Sequence, residues 1–384
     1  MTTDAVYLDH AATTPVRKEV LEAMLPLFTE QFGNPSSVHR FGRDAKAALT
    51  RARDTMAEAL LCSPGELVFT GSGTESDNMA LFGAAFAAEA GRRKIVTTAI
   101  EHSAVLQACR VLERQDFEVV YLPVDGTGRV DPGDVKQAVD KETVVVSVMY
   151  GNNETGTLQP IEEIGEIARA SGAVFHVDAV QALGAVPLDL STLPVDLMSF
   201  SAHKINGPKG VGALYVHNRI KLAPRIVGGP QERRRRAGTE NVAGAVGFAK
   251  AVELVFASPD ERFAALRKMR QAALNKLREQ LPEGSFVVNG HPEQHLPHIL
   301  NVSFPGASSE SLLMNLDLEG IAVSSGSACS AGAIEPSHVL RAMRLSEDVL
   351  NSAVRFSFGH GNCLKSVTIA AEKTATVVRR LTYK

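Results

Sequence analysis

Four stretches of this chain carry side chains that could do chemistry, and three of them stand at the ends of apolar runs. Lys204 follows such a run in "SFSAHKINGPKG" (199–210), Asp178 closes "AVFHVDA" (173–179), and Gly71-Ser72-Gly73-Thr74 follows "ELVFT" (66–70). A lysine at a strand end is either a solvated charge or a buried amine of lowered pKa, the state an amine needs to condense with a carbonyl. An aspartate there is a helix cap or the partner of a buried cation. A glycine turn entering a helix is a plain turn or an anion cup, because its N–H groups point outward and the helix dipole favours negative charge. The fourth stretch, "SSGSACSAG" (324–332), holds Cys329 with no large side chain near it. Unpaired cysteines usually pack as small hydrophobes. Gly326 and Gly332 loosen this backbone and the serines hydrate it, so the thiol reads as exposed and mobile.

No Gly-Lys-Ser/Thr follows the glycine turn, and the third glycine of a dinucleotide fingerprint is missing. What remains is a cup for a single phosphate. A phosphate cup, an acid and an amine on successive strands of one sheet match the three handles of pyridoxal phosphate. These are its phosphate, a ring nitrogen that must stay protonated to act as an electron sink, and an aldehyde. His102, in "TTAIEHSAV" (97–105), could stack on such a ring or be a structural histidine, and Gln181 could face the same cavity as Asp178.

The elements that must position these groups are those of an α/β fold. "ELVFT", "KIVTTAI" (94–100), "FEVVYLPV" (117–124), "TVVVSVMY" (143–150), "AVFHVDA" and "DLMSFSAH" (196–203) read as strands. Several look apolar on both faces, as in a parallel sheet covered by helices. In "RVDPGDVKQAV", Asp131 is a natural N-cap with Pro132 at the first helical position. Near Ser258 the character changes to a long charged helix, "DERFAALRKMRQAALNKLREQL" (260–281), and then to a smaller α+β region. The division is residues 16–258 as a large domain, with 1–15 and 259–384 as a small domain carrying the mobile Cys329 loop.

Bulk properties exclude several classes. A formal charge of -3 over 384 residues gives no global reason for direct nucleic-acid binding. The local exception, Arg233 to Arg236, could be a solvated face, a dimer contact or a docking patch. Four cysteines without a CxxC pair argue against a disulfide framework or a structural metal site, and Cys62, Cys109 and Cys363 read as structural. No apolar run is long enough to span a membrane, and the N-terminus lacks an apolar signal core, so a cytoplasmic location is expected.

Taken together, the motifs resemble the NifS/IscS-type cysteine desulfurases, fold-type I pyridoxal-phosphate enzymes of the class V aminotransferase family. The resemblance runs from "YLDHAATTPV" (7–16) and "FGNPSSVHRFG" (32–42) through "TGSGTESDN", "EHSAV", "NNETG", "HVDAVQ", "SFSAHKINGPKG", "RAGTEN" and "SSGSACSAG" to "EPSHVLRAM" and "VRFSFG". It implies an α/β fold with a large, mainly parallel, helix-covered sheet and a smaller α+β domain. It also implies pyridoxal 5'-phosphate held covalently on Lys204, with Asp178 on the ring nitrogen, Gln181 on the ring hydroxyl and His102 on the ring face. Gly73, Thr74, Ser201 and His203 would hold the phosphate, joined by Thr239 from the partner subunit of a homodimer. Asn153 and Arg355 would bind the α-carboxylate of L-cysteine.

By the same resemblance Lys204 takes the Cα proton, Cys329 attacks the substrate sulfur and keeps it as a persulfide, and alanine leaves. The sulfur then passes to an acceptor protein, an iron–sulfur scaffold or a tRNA thiolation enzyme. Two stretches depart from the family pattern: "GGPQERRRRAGTEN" carries Pro230 and arginines where glycine is expected, and His360 stands where an arginine usually follows Gly359. Rival readings are a related activity, such as a selenocysteine lyase or an aminotransferase, and a non-catalytic persulfide carrier. The first does not need Cys329 and the second does not need Lys204.

Overall fold

The structure, a computed structural model, describes residues 5–325 and 336–382; Cys329 lies outside them. Twelve strands are found among the described residues: β1 (Val6–Tyr7), β2 (Leu67–Thr70), β3 (Lys94–Thr98), β4 (Glu118–Leu122), β5 (Thr143–Ser147), β6 (Val174–Asp178), β7 (Leu197–Ser201), β8 (Gly212–Val216), β9 (Val287–Asn289), β10 (Ile299–Ser303), β11 (Ile321–Ala322) and β12 (Ala353–Ser357). Seven form one sheet in the order β2-β8-β7-β6-β5-β3-β4. Only β8 runs against the rest. All six strands expected from sequence belong to this sheet.

Their faces differ from the expectation of apolar on both sides. On β5, β6 and β7 one face carries Val146, Phe175, Val177, Met198 and Phe200, all in the largest apolar cluster. The other face begins apolar, with Val145 and Leu197 in a second cluster. It then turns polar toward the strand ends, with Ser147, His176, Asp178, Ser199 and Ser201, all buried. Buried polar groups are ordinarily hydrogen-bonded, and Ser147, His176 and Ser199 bond to one another. His176 Nδ1 lies 2.8 Å from Ser147 Oγ, and its Nε2 lies 3.0 Å from Ser199 Oγ. The period-2 pattern thus changes chemistry along the strand while keeping its register.

Helices start where capping residues allow. Ser72 Oγ accepts the Glu75 N–H at 3.1 Å and opens the helix Gly73–Ala87 over the polar face. Asp131 caps Pro132–Ala138, with the proline at its first position. Among the described residues no single helix is long and apolar enough to cross a membrane.

A separate apolar cluster gathers Leu8, Leu266, Leu277, Leu300, Phe356, Val367 and Val378. It is built on the antiparallel sheet β12-β10-β9 and on two long helices, Pro259–Gln280 and Leu364–Thr382. The N-terminal segment joins it: β1 pairs with β11, and Asp9 bridges to Ser357. Leu296, Ile299, Val339 and Met343 pack instead into the largest cluster.

Candidate active site

The carboxyl ends of the parallel strands open onto one cavity of about 310 Å³, within the range of small-molecule sites and in the place where open α/β sheets bind ligands. Its walls include Gly73, Thr74, His102, Asn153, Asp178, Gln181, Ser201, His203, Lys204 and Arg355. Ten of the twelve residues singled out from sequence therefore meet there. Thr239 does not line it and is exposed. Cys329 lies outside the described residues, but Ser324, at the start of its stretch, lines the cavity.

At one end, the turn after β2 delivers the N-terminus of Gly73–Ala87. A Cβ on Gly73 would sit 2.6 Å from Val180 Cγ2 and 3.4 Å from Ser201 Cβ, so only glycine leaves the first N–H groups uncovered. Ser201 Oγ is buried with no hydrogen-bond partner. An unpaired buried hydroxyl beside a helix N-terminus is a donor waiting for an anion.

At the floor, Asp178 is buried; one oxygen accepts the Val180 N–H at 2.9 Å. Burial raises its pKa, opposed by His102 and Lys204. A buried carboxyl in this position calls for a cation, and a protonated ring nitrogen supplies one. Near it lie Asp77, which also lines the cavity, and Glu101, both buried. Burial raises both, Glu101 to about 8. Glu101 Oε1 accepts from Thr98 Oγ1 at 2.6 Å and from Met149 N at 3.0 Å.

His102 caps the helix Ser103–Glu113: its Nδ1 accepts the Ala104 N–H at 3.1 Å. The neutral ring therefore carries its proton on Nε2, and burial, which lowers its pKa, favours that form. The residue is thus a helix cap and a cavity wall together. Asp178 is likewise both a local turn acceptor and a cavity acid.

Lys204 follows β7 in a short 3₁₀ turn, Ala202–Lys204. Its Nζ donates to the carbonyls of Ala11 at 2.6 Å and Ala12 at 2.8 Å. Burial, then the Arg355 charge, lower its pKa to about 8, against the pull of Asp9 and Asp178. The same N-terminal segment holds two neighbours: Gln181 Nε2 donates to Ala11 O at 2.9 Å, and His203 Nδ1 lies 3.1 Å from Thr13 Oγ1.

Arg355, on β12, crosses from the small sheet. Its Nη1 donates to Asn153 O at 2.8 Å and its Nη2 to Asp9 Oδ1 at 2.9 Å, while its Nε is buried without a partner. Its backbone pairs with Ser324 in both directions. On the far side of the undescribed stretch, His338 Nε2 lies 3.0 Å from the Glu101 carbonyl.

Sequence reasoning missed Asp9, Ala11, Ala12, Asp77 and the His176 layer. Asp77 stands inside "TESDN", a visible signal; a carbonyl acceptor such as Ala11 leaves none. Of the other cysteines, Cys109 is buried and Cys62 half-buried, whereas Cys363 is exposed. Cys363 is therefore no core residue: its sulfur accepts the Ser366 N–H at 3.5 Å at the start of Leu364–Thr382. No cluster of three or more metal-ligating side chains is found among the described residues.

These residues fit pyridoxal phosphate: the glycine-lined helix start with the unpaired Ser201 hydroxyl takes a phosphate, Asp178 a ring nitrogen, and Lys204 an aldehyde. Comparison with known proteins agrees. The Aminotransferase class-V family model matches residues 6–369. The chain is similar to the putative cysteine desulfurase IscS 1 of Bacillus subtilis (strain 168), with 50% identity over 99% of this chain and 100% of that protein. It is also similar to the cysteine desulfurase IscS of Methanosarcina thermophila, with 48% identity over 98% and 93%. Among solved structures, a NifS-like protein superposes with a TM-score of 0.92 at 37% identity, covering 98% of this chain and 100% of that one.

Proposed function

The chain belongs to the class-V aminotransferase family, and from that premise we propose that it is a cysteine desulfurase whose pyridoxal phosphate is held on Lys204 and whose sulfur is carried by Cys329. The observation that carries this reading is the convergence of Lys204, Asp178 and the Gly73 helix start on one cavity that Arg355 closes from the opposite sheet. When bound, the cofactor supplies an aldehyde and an electron-withdrawing ring. Gly73, Thr74, Ser201 and His203 hold its phosphate, Asp178 its ring nitrogen, Gln181 its hydroxyl and His102 its face.

The chain's own groups do the rest. Arg355 and Asn153 orient the α-carboxylate of L-cysteine; the unpaired Nε of Arg355 is available for it. Lys204, with its lowered pKa, gives up its proton readily and its amine takes the one on Cα. The Cys329 thiolate attacks the substrate sulfur. The new S–S bond forms as the C–S bond breaks, its electron pair stays with the carbon, and that carbon is protonated and leaves as alanine. Cys329 is five residues from Ser324 in the cavity wall, and at about 3.3–3.6 Å per extended residue it reaches no more than roughly 18 Å.

A homodimer, with Thr239 supplied across the interface, is part of this reading. The exposed large apolar side chains Leu25, Phe28, Phe32, Val38 and Phe41, close together in sequence, support it. So are a cytoplasmic location, which the unpaired cysteines support, and delivery of sulfur to an iron–sulfur scaffold or tRNA thiolation enzyme. The test is a visible spectrum of the purified protein, followed by L-cysteine addition with alanine and sulfide assayed. Wild type shows a cofactor band and both products; Lys204→Ala shows neither. A protein with no band, or one whose Lys204→Ala variant still makes sulfide, refutes the reading.

A further inference from the structure

The arginine run that sequence left open does not form a solvated stripe. Arg233 and Arg234 are exposed, but Arg235 and Arg236 are half-buried against their own chain. The stretch is held in a strained shape: Glu232, Arg233 and Arg234 all have φ between 43° and 65°, the left-handed region that costs a non-glycine residue about 1–2 kcal/mol. What fixes it is the buried pair of Glu232 with Arg53, 2.6 Å apart. Strain of this kind persists where the surrounding structure over-determines it, and it is a reason to ask what the loop presents.

It presents Arg236. The Nε donates to Glu75 Oε1 at 2.9 Å and Nη2 lies 3.4 Å from Glu75 Oε2. Glu75 Oε2 in turn accepts the Gly71 N–H at 2.7 Å, and the Glu75 N–H donates to Ser72 Oγ. Glu75 therefore builds the turn that opens the helix Gly73–Ala87. It also places a carboxylate in the first turn of that helix, where it competes with a bound phosphate for the same positive helix end. Arg236 is the only cation within ion-pairing distance of Glu75 among the described residues. Both side chains are about a quarter exposed, so the pair is only partly screened.

We propose that Arg236 is a positioning residue for the phosphate cup: it cancels the Glu75 charge so that Glu75 can shape the turn without repelling the cofactor phosphate. The proposal rests on the pyridoxal-phosphate reading above. It assigns one member of the arginine run to the interior economy of the site, reached through Glu75 and not by contact with the phosphate.

The test measures affinity and not turnover: cofactor-free protein is titrated with pyridoxal phosphate, with the bound fraction followed by absorbance. Arg236→Gln raises the Kd about tenfold or more, as expected for one uncompensated charge near a phosphate. Arg236→Lys raises it less, because the charge stays while the two-pronged geometry is lost. The double variant Glu75→Gln/Arg236→Gln, neutral at both positions but able to keep the Gly71 contact, returns to within about threefold of wild type, and the single-variant defect shrinks at high salt. If the double variant binds no better than Arg236→Gln, the arginine acts only as a structural brace and the proposal fails. It also fails if Arg236→Gln binds like wild type. Wild-type protein that binds no pyridoxal phosphate refutes the parent reading instead.

Discussion

Lys204 offers the sharpest quantitative check, because its surroundings act on it with opposite signs. Burial and the Arg355 charge lower its pKa to about 8 from 10.5, while Asp9 and Asp178 pull upward. At pH 7 an amine of pKa about 8 is ~10% neutral, and one at its ordinary value ~0.03%, so the site gains roughly 300-fold in condensable amine. Cofactor capture by cofactor-free protein should therefore speed up between pH 7 and 9, with a midpoint near 8, when followed by stopped-flow absorbance. Arg355→Gln removes a positive neighbour, moves the midpoint up by about one unit and slows capture at pH 7 by up to about tenfold. Asp9→Asn removes a negative neighbour and must move it down. A wild-type midpoint near 10, or a downward shift in Arg355→Gln, would refute the electrostatic account of this lysine.

Cys329→Ser is expected to keep the visible cofactor band while abolishing sulfide release from L-cysteine; desulfuration at the wild-type rate would sink the sulfur-carrier role. Gly73→Ala places a methyl 2.6 Å from Val180 Cγ2; overpacking costs about 1–3 kcal/mol, so cofactor Kd should rise at least several-fold in an equilibrium titration. Arg53→Ala strands the buried Glu232 carboxylate, a loss of about 3–5 kcal/mol. Urea unfolding should show a clearly lower midpoint, and an unchanged one would mean the pair is dispensable.

Six of the seven strands of the main sheet were legible because each is a short apolar run ended by glycine, proline or a polar residue. So were the residues at their carboxyl ends, since a charged or small polar group after an apolar run has few other places to go. The polar layer under the cavity was not. Ser147, His176 and Ser199 sit one per strand in otherwise apolar runs, and only the sheet register puts them in contact. Local sequence also hides any role carried by main-chain atoms. Ala11 and Ala12 look featureless, yet their carbonyls receive the Lys204 amine. Arg355 was legible by family pattern, but its pairing with Asp9 joins residues 346 apart in the chain and leaves no local signature. The arginine run left a solvated face, a dimer contact and a docking patch open in sequence; the fold keeps Arg233 and Arg234 exposed and half-buries Arg235 and Arg236.

That link between Asp9 and Arg355 also sets a timetable for biosynthesis. A ribosome makes the aspartate long before the arginine, which follows 346 residues later in the chain. Until β12 has emerged and docked, the nascent chain holds a half-built pocket whose lysine lacks its neighbouring guanidinium. The lysine therefore acquires its full electrostatic setting only once that strand is in place. Any change that displaces Asp9, Ala11 or Ala12 therefore reaches straight into the catalytic centre, far from these residues in sequence.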